Sequence, residues 1–510
     1  MKSQETIFRL IKSLTKQEKR YYKQFATDKA LKGSSNYALL FDAIDARDYY
    51  DEARLKKKFT KLSFTETKYQ LYGNILKSLH SYHLDGSADS KLNLAIHQAE
   101  ILFNKGLYPE TLKIIQKAQK KAIHDEKYTH LLMLYEWERQ AVIYSYEFPT
   151  MKETIDGIYQ KTQHYQQLAT LQTDYFYLSN CLYMLHFKSG VIRNKATQKE
   201  YDAIMQHPLL QDVTLAKTYE AKTVFYHCHK TYWFARQNYH EYYKYCKLHL
   251  EALEEKPSLI DAKVIRYIGA TYSLGLAQID VKEFSEFKPL LQKMRTIPLH
   301  YKTADTAINR QTIFDMSYRL ELRYYNCIGD FETGKQVAIK VKKGMEEYAS
   351  TLSDTSQLLF YYELSVVMFG SKQYSKALEY IQLVTDSKLA NVREDLVSVL
   401  KILQLIIHYE LGHELLLPYI IKSTYRYLYK KERLYKMETI ILLYLRKLEN
   451  IQTRKDLYQS FQLLRNQLFS LRSDPYERIG LDYIDFIAWL DSKLERKEYA
   501  TLVKQNYLES

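Results

Sequence analysis

Through most of residues 92–510, apolar side chains return every three or four positions, the period of a helix with one buried stripe. Leu396, Val399, Leu400, Leu403, Ile406 and Ile407 form one such stripe and predict a helix, not a strand. A second pattern recurs beside the breaks between stripes. An aromatic stands just after a turn, followed three residues later by a small or apolar residue, four after that by a bulky one, and three further on by another small or apolar one. Tyr374, Ala377, Ile381 and Val384 are the clearest copy, preceded by Gly370 and Ser371-Lys372-Gln373. Gly106, Tyr108, Thr111, Ile115 and Ala118 form a second, and Gly329, Asp330, Phe331, Gly334, Ala338 and Val341 a third. These positions share one face of a helix starting at the turn, where small residues let a neighbouring helix approach and the aromatic wedges against the preceding one.

Weaker copies begin at Phe148 (Met151, Ile155), Tyr239 (Tyr242, Cys246, His249), Phe284 (Phe287, Leu291, Met294), Glu414 (Leu417, Ile421, Thr424), Leu457 (Ser460, Leu464) and Tyr499 (Leu502). From 239 onward the starts are 45, 47, 43, 40, 43 and 42 residues apart. A divergent copy fits between 148 and 239, around Ser189-Gly190. A unit of about 43 residues holds two helices of about 18–20 residues and two short turns. Composition agrees: 14 Gly and 8 Pro in 510 residues cannot supply the turns of a strand-rich chain, which excludes an all-β fold and disfavours a doubly wound sheet. With 49 Tyr and 20 Phe the chain can build a long folded core.

The Gly-x-Tyr-x-x-Ala turn and the helix after it resemble the tetratricopeptide repeat, whose units pair two antiparallel helices. The unit here is longer than the 34 residues of that family, the aromatic-leucine-glycine of its first helix is mostly missing, and Glu414 takes an aromatic position. A HEAT-like array fits the same spacing. The expected fold is an all-α superhelical solenoid of antiparallel helix pairs, with about nine or ten tetratricopeptide-like units over residues 91–510. A small basic helical region, residues 1–90, precedes it, with residues 84–90 as linker. There Thr15 with Glu18, and Ser63 with Glu66, predict capping boxes.

Net charge is +14, and 17 Lys and Arg against 11 Asp and Glu place +6 of it in residues 1–90. Lys56, Lys57 and Lys58 end one predicted helix, Lys61 lies in the break, and Lys68 is on the next helix. Two helices so joined can present the second to nucleic acid, which makes these lysines candidate phosphate contacts. Tyr and Lys interleaved along the solenoid could stack single-stranded RNA. Four cysteines without paired spacing, no apolar leader and no apolar run long enough for a bilayer predict a cytoplasmic protein without membrane insertion.

Motifs for phosphate loops, dinucleotide binding, serine nucleophiles, zinc proteases and calcium loops are missing, so a non-enzymatic protein without cofactor is expected. His227, Cys228, His229, His240, Cys246 and His249 fall within 23 residues, and a turn near 237 would set Cys228 opposite Cys246 and His249 as metal ligands. Cys246 and His249 also hold core positions of the repeat, and no metal is predicted. The resemblance implies a concave face, formed by the first helices of successive pairs, that receives extended peptides. Counting back one turn at a time from the aromatic markers puts Lys222, Tyr226, Lys230, Trp233, Tyr318, Tyr325, Tyr361 and Met368 there. The expected function is a scaffold or adaptor that binds a peptide or protein segment in this groove. The alternative is a regulator whose N-terminal region binds nucleic acid while the solenoid senses a partner.

Overall fold

The computed structural model describes residues 5–28, 34–59, 63–84, 86–145, 148–448, 453–474 and 476–508. Every regular element among them is helical, and two compact units emerge, Met1–Thr170 and Leu171–Ser510.

In the first unit, α1 (Thr6–Ser13), α2 (Lys16–Asp28), α3 (Ser34–Asp45), α4 (Glu52–Lys58) and α5 (Phe64–Tyr82) enclose Ile11, Tyr22, Phe41, Leu55 and Leu71. The helices α6 (Ala88–Asn104), α7 (Tyr108–His124), α8 (Tyr128–Tyr144) and the start of α9 (Phe148–Ser189) build a separate core around Leu92, Ala99, Ile115, Leu131 and Leu134. The core thus changes at the predicted linker, although the compact units part later, inside α9. Thr15 and Glu18 form the expected capping box: the Thr15 N–H donates to Glu18 Oε2 at 2.7 Å and the Glu18 N–H to Thr15 Oγ1 at 3.2 Å. Ser63 stands at the N-cap of α5 without a side-chain cap bond. Its carbonyl accepts from the Thr67 hydroxyl instead.

The second unit continues from α9 through α10 (Lys195–Met205), α11 (Tyr219–Ala235), α12 (Tyr239–Glu254), α13 (Pro257–Ala262), α14 (Val264–Asp280) and α15 (Phe287–His300). It goes on through α16 (Ala307–Ile328), α17 (Phe331–Glu347), α18 (Asp354–Gly370), α19 (Tyr374–Thr385), α20 (Glu394–Glu410) and α21 (Leu417–Lys430). The last helices are α22 (Lys436–Lys447), α23 (Arg454–Ser470), α24 (Phe486–Glu495) and α25 (Tyr499–Leu508). Successive helices pack as antiparallel pairs, the arrangement of a helical-repeat solenoid. The marker residues are the buried face of the second helices: Thr111, Ile115 and Ala118 in α7, Tyr242, Cys246 and His249 in α12, Gly334, Ala338 and Val341 in α17, and Ala377, Ile381 and Val384 in α19. In α15 and α21 the helix starts three residues after the marker, at Phe287 and Leu417.

Two expectations need correction. The unit marked by Phe148 is one continuous helix of 42 residues rather than a pair, because no proline or left-handed residue interrupts it between 150 and 189. The unit marked by Tyr499 does not extend the stack, because α25 lies back against α16, with Leu502 and Val503 packed on Phe331.

The pairs close with few glycines because the same helix ending recurs. Gly106, Gly329 and Gly412 have φ of 74°, 71° and 67°, and Glu126, Gln237, Lys282, Lys372 and Glu432 take the same left-handed position with φ between 52° and 61°. In each the next N–H reaches back to the carbonyl five residues earlier, as Asn238 to Trp233 and Gln373 to Met368. Gly370 lies inside α18, where its missing side chain admits the Phe331 ring; a Cβ there would stand 2.3 Å from it. A side chain in the left-handed region costs roughly 1 kcal/mol. Gln237→Gly and Lys372→Gly are therefore each expected to raise unfolding stability by about 0.5–1 kcal/mol in urea titrations.

Candidate binding groove

After α23 a turn and a short 3-10 helix, Arg478–Asp482, lead into α24, which packs on α23, and into α25, and residues 476–508 meet side chains of the first helices of several pairs. Arg193, just before α10, lies 4.5 Å above the Tyr435 ring and donates Nη1 to the Tyr476 carbonyl at 3.5 Å. The Tyr476 hydroxyl donates to Gln198 at 3.2 Å, and Arg478 donates to the Gln237 carbonyl at 2.7 Å. The Tyr362 hydroxyl of α18 donates to the carbonyl of Tyr483, whose own hydroxyl reaches Asp395 at 3.2 Å. Burial alone would raise the Asp395 carboxyl, yet Arg393, at 2.6 and 2.9 Å, outweighs it and holds the pKa low. Further along, Glu410 accepts from Trp489 and Lys493, each at 2.6 Å, and the Asn506 carbonyl accepts from Lys282 at 3.3 Å. Side chains of the solenoid thus hold a turn and a short 3-10 helix, Arg478–Asp482, partly by main-chain carbonyls, with Tyr483 and, at the start of α24, Phe486 and Trp489 as aromatic anchors.

Beneath this segment is a cavity of about 390 Å³. Its floor is Asp280 at the end of α14, Arg323, Asn326 and Cys327 of α16, and Tyr362, Glu363 and Val366 of α18; Arg478, Tyr483 and Asp485 roof it. Arg323 Nη2 is 3.0 Å from Asp280 Oδ1, and Asn326 Nδ2 donates to Glu363 Oε2 at 2.8 Å. Burial works to lower the Arg323 pKa, but Asp280 and then Glu363 raise it on balance. Burial raises Glu363 against the pull of Arg323, and it raises the Cys327 thiol, which weakens it as a nucleophile. Asn326 Oδ1 and Arg478 Nε, one acceptor and one donor, are buried without a hydrogen-bond partner. This chemistry suits recognition by charge and hydrogen bonds.

The predicted contact residues sit beside this face. On α18 it is Tyr362 that faces the segment, whereas Tyr361 stacks on Tyr380 of α19 at 6.1 Å and Met368 is core. On α16 Arg323, Asn326 and Cys327 face the cavity, while Tyr318 lies under Arg295 of α15 at 4.5 Å and Tyr325 meets Gly334 of α17. Lys222 is tied to Glu255 at 2.5 Å, and Tyr226 packs near Tyr245. Lys230 is buried, donating to Ser273 at 3.1 Å, and burial lowers its pKa. Trp233 is half-buried against Tyr232. The cysteines do not face each other: Cys228 joins the core with Tyr175 and Leu182 of α9, Cys246 the core with Leu274 and Phe287. His229 is held by the Leu210 carbonyl at 2.9 Å. Among the described residues no group of three or more His, Cys, Asp or Glu is placed to hold a metal ion.

At the N-terminus, Lys56 and Lys68 both pair with Glu52 at 2.9 Å, which neutralises part of the expected phosphate surface. Lys57 and Lys58 are exposed, Lys61 lies outside the described residues, and the apolar face of α5 is buried through Phe64, Leu71 and Ile75. No helix among the described residues is long and apolar enough to cross a membrane.

Buried Glu438 of α22 gives folding stability a pH dependence. Burial pushes its carboxyl up to about 7, with nearby Arg193 opposing and Glu477 adding. The folded state therefore keeps a proton that the unfolded chain releases. That stabilisation is complete below about pH 4.5 and lost as pH rises to about 7. Glu438→Gln is expected to add about 3 kcal/mol at pH 8 and almost nothing at pH 4.5, read by urea titration at both values.

Three comparisons, with protein-family models, curated proteins and solved structures, gave no match to this chain.

Proposed function

We propose that the chain is a non-enzymatic scaffold that binds an extended segment of another protein on the first-helix face of residues 171–508, in the cytoplasm. The supporting observation is that this face already holds a segment of its own chain, the turn and 3-10 helix of residues 476–485, through Arg193, Tyr362 and Asp395. A surface that receives main-chain carbonyls and aromatic anchors from a segment up to 283 positions away has the chemistry of peptide recognition. A divergent tetratricopeptide-like repeat suits this use, since the marker residues form helix-packing faces and leave the first helices to present side chains. The four cysteines are free thiols, in keeping with a reducing compartment.

The test is affinity purification of the tagged full chain from its native host, followed by cross-linking mass spectrometry and hydrogen exchange. Cross-links from a partner to the first helices α14 to α20, with faster exchange of residues 476–485 in the complex, support the proposal. Recovery of the folded chain alone, or cross-links confined to other faces, sinks it.

A further inference from the structure

The outer face of α21 has a composition unlike the rest of the unit. Leu417, Ile421, Thr424 and Leu428 are buried, which fixes the opposite face in solvent. There Tyr419, Tyr425 and Tyr429 are 74%, 48% and 69% exposed, far more than wedges between helices would be, and Leu415 before them is 91% exposed. Lys422, Arg426 and Lys430 are exposed on the same side, and α21 contains no acidic residue. The three cations stand four residues apart, so their charges rise along the helix in steps of about 6 Å. The rings of Tyr425 and Tyr429 are nearly parallel, 14° apart in plane with centroids 6.1 Å apart.

We propose that this face of α21 binds single-stranded nucleic acid, independently of the groove. Tyrosine rings offer stacking platforms for unpaired bases, and the lysine and arginine line follows the backbone phosphates. An acidic partner helix would ask for a continuous apolar seam, whereas here the rings alternate with cations. An anionic membrane would ask for aliphatic side chains along the whole face, and these stand only at its start. Duplex DNA is disfavoured because its bases are stacked on one another, which leaves the exposed tyrosine rings no free base face to stack on.

Fluorescence polarisation of the full chain with labelled oligo-dT and oligo-U of about 20 nucleotides, at about 50 mM and about 200 mM salt, tests this. Three variants probe the face: Tyr419→Ala/Tyr425→Ala/Tyr429→Ala, the same positions changed to Phe, and Lys422→Glu/Arg426→Glu/Lys430→Glu. All positions are exposed, and circular dichroism checks that each variant is folded. The expected result is salt-sensitive binding by the parent chain, weakened tenfold or more by the Ala and Glu triples and kept by the Phe triple. A control, Lys56→Glu/Lys57→Glu/Lys58→Glu, should bind as the parent does. Loss of the three cations should flatten the log–log salt slope by about 2. The proposal is overturned if the parent chain binds no single strand at low salt, if it prefers duplex, or if the α21 variants bind unchanged. It is equally overturned if those variants instead lose binding to phosphatidylserine vesicles or polyglutamate while single strands never bind.

Discussion

Gly329→Ala should cost about 3 kcal/mol of unfolding stability and free the C-terminal helix, whereas Gly412→Ala should cost only about 1 kcal/mol. Both glycines close a helix pair in the left-handed region, with φ of 71° and 67°, so the backbone strain of an added side chain is shared. What differs is the space. A Cβ on Gly412 meets nothing within 4 Å, while one on Gly329 would stand 2.9 Å from the Ala500 carbonyl oxygen and 2.9 Å from the Lys504 nitrogen. Those are backbone atoms of α25 and cannot rotate away. The helix must lift, and with it the packing of Leu502 and Val503 on Phe331 and of Tyr499 on the same ring at 5.7 Å. Urea titration gives the two losses, and hydrogen exchange should show faster exchange at 486–508 in Gly329→Ala alone. Equal losses in the two variants would mean that α25 contributes nothing at this junction.

The stack was legible because its signal is local. A buried face repeats within one helix, so Tyr374, Ala377, Ile381 and Val384 announce both the helix and the side that packs. The contact residues were less legible because a one-residue error turns a helix by about 100°. That is the difference between Tyr361, stacked on the next helix, and Tyr362, which meets the C-terminal segment. The same arithmetic separates Cys228 from Cys246, which face different cores. The turns were partly hidden, since Gln237, Lys282 and Lys372 do the work usually left to glycine. Residues 476–498 gave no periodic signal of their role. Their partners, Arg193, Gln237, Tyr362 and Asp395, lie 88 to 283 positions away, and each contact is a single polar bond. The cluster of Tyr and Trp near the end, Tyr476, Tyr483 and Trp489, was the one available hint.

Arg323→Met should be the most damaging single change in the cavity, at about 3 kcal/mol at neutral pH, because it removes the partly exposed cation shared by the buried Glu363 and the mostly buried Asp280. Arg323 lies 3.0 Å from Asp280, and its charge also acts on Glu363, which is buried. Methionine fills similar volume, so the loss reports charge rather than packing. Without the guanidinium both carboxyls are driven towards their neutral forms, and their folded-state pKa values rise. The deficit should then shrink as pH falls, since below the unfolded carboxylate range both states are protonated and the missing cation matters little. A second substitution separates this from general damage: Glu363→Gln in the Arg323→Met background should recover part of the loss at pH 7, while Glu363→Gln alone should not stabilise. Urea titrations of the four proteins at pH 5 and pH 7 measure the cycle. A deficit independent of pH, or strictly additive changes, would show that the two groups do not interact and that the cavity is held by packing alone.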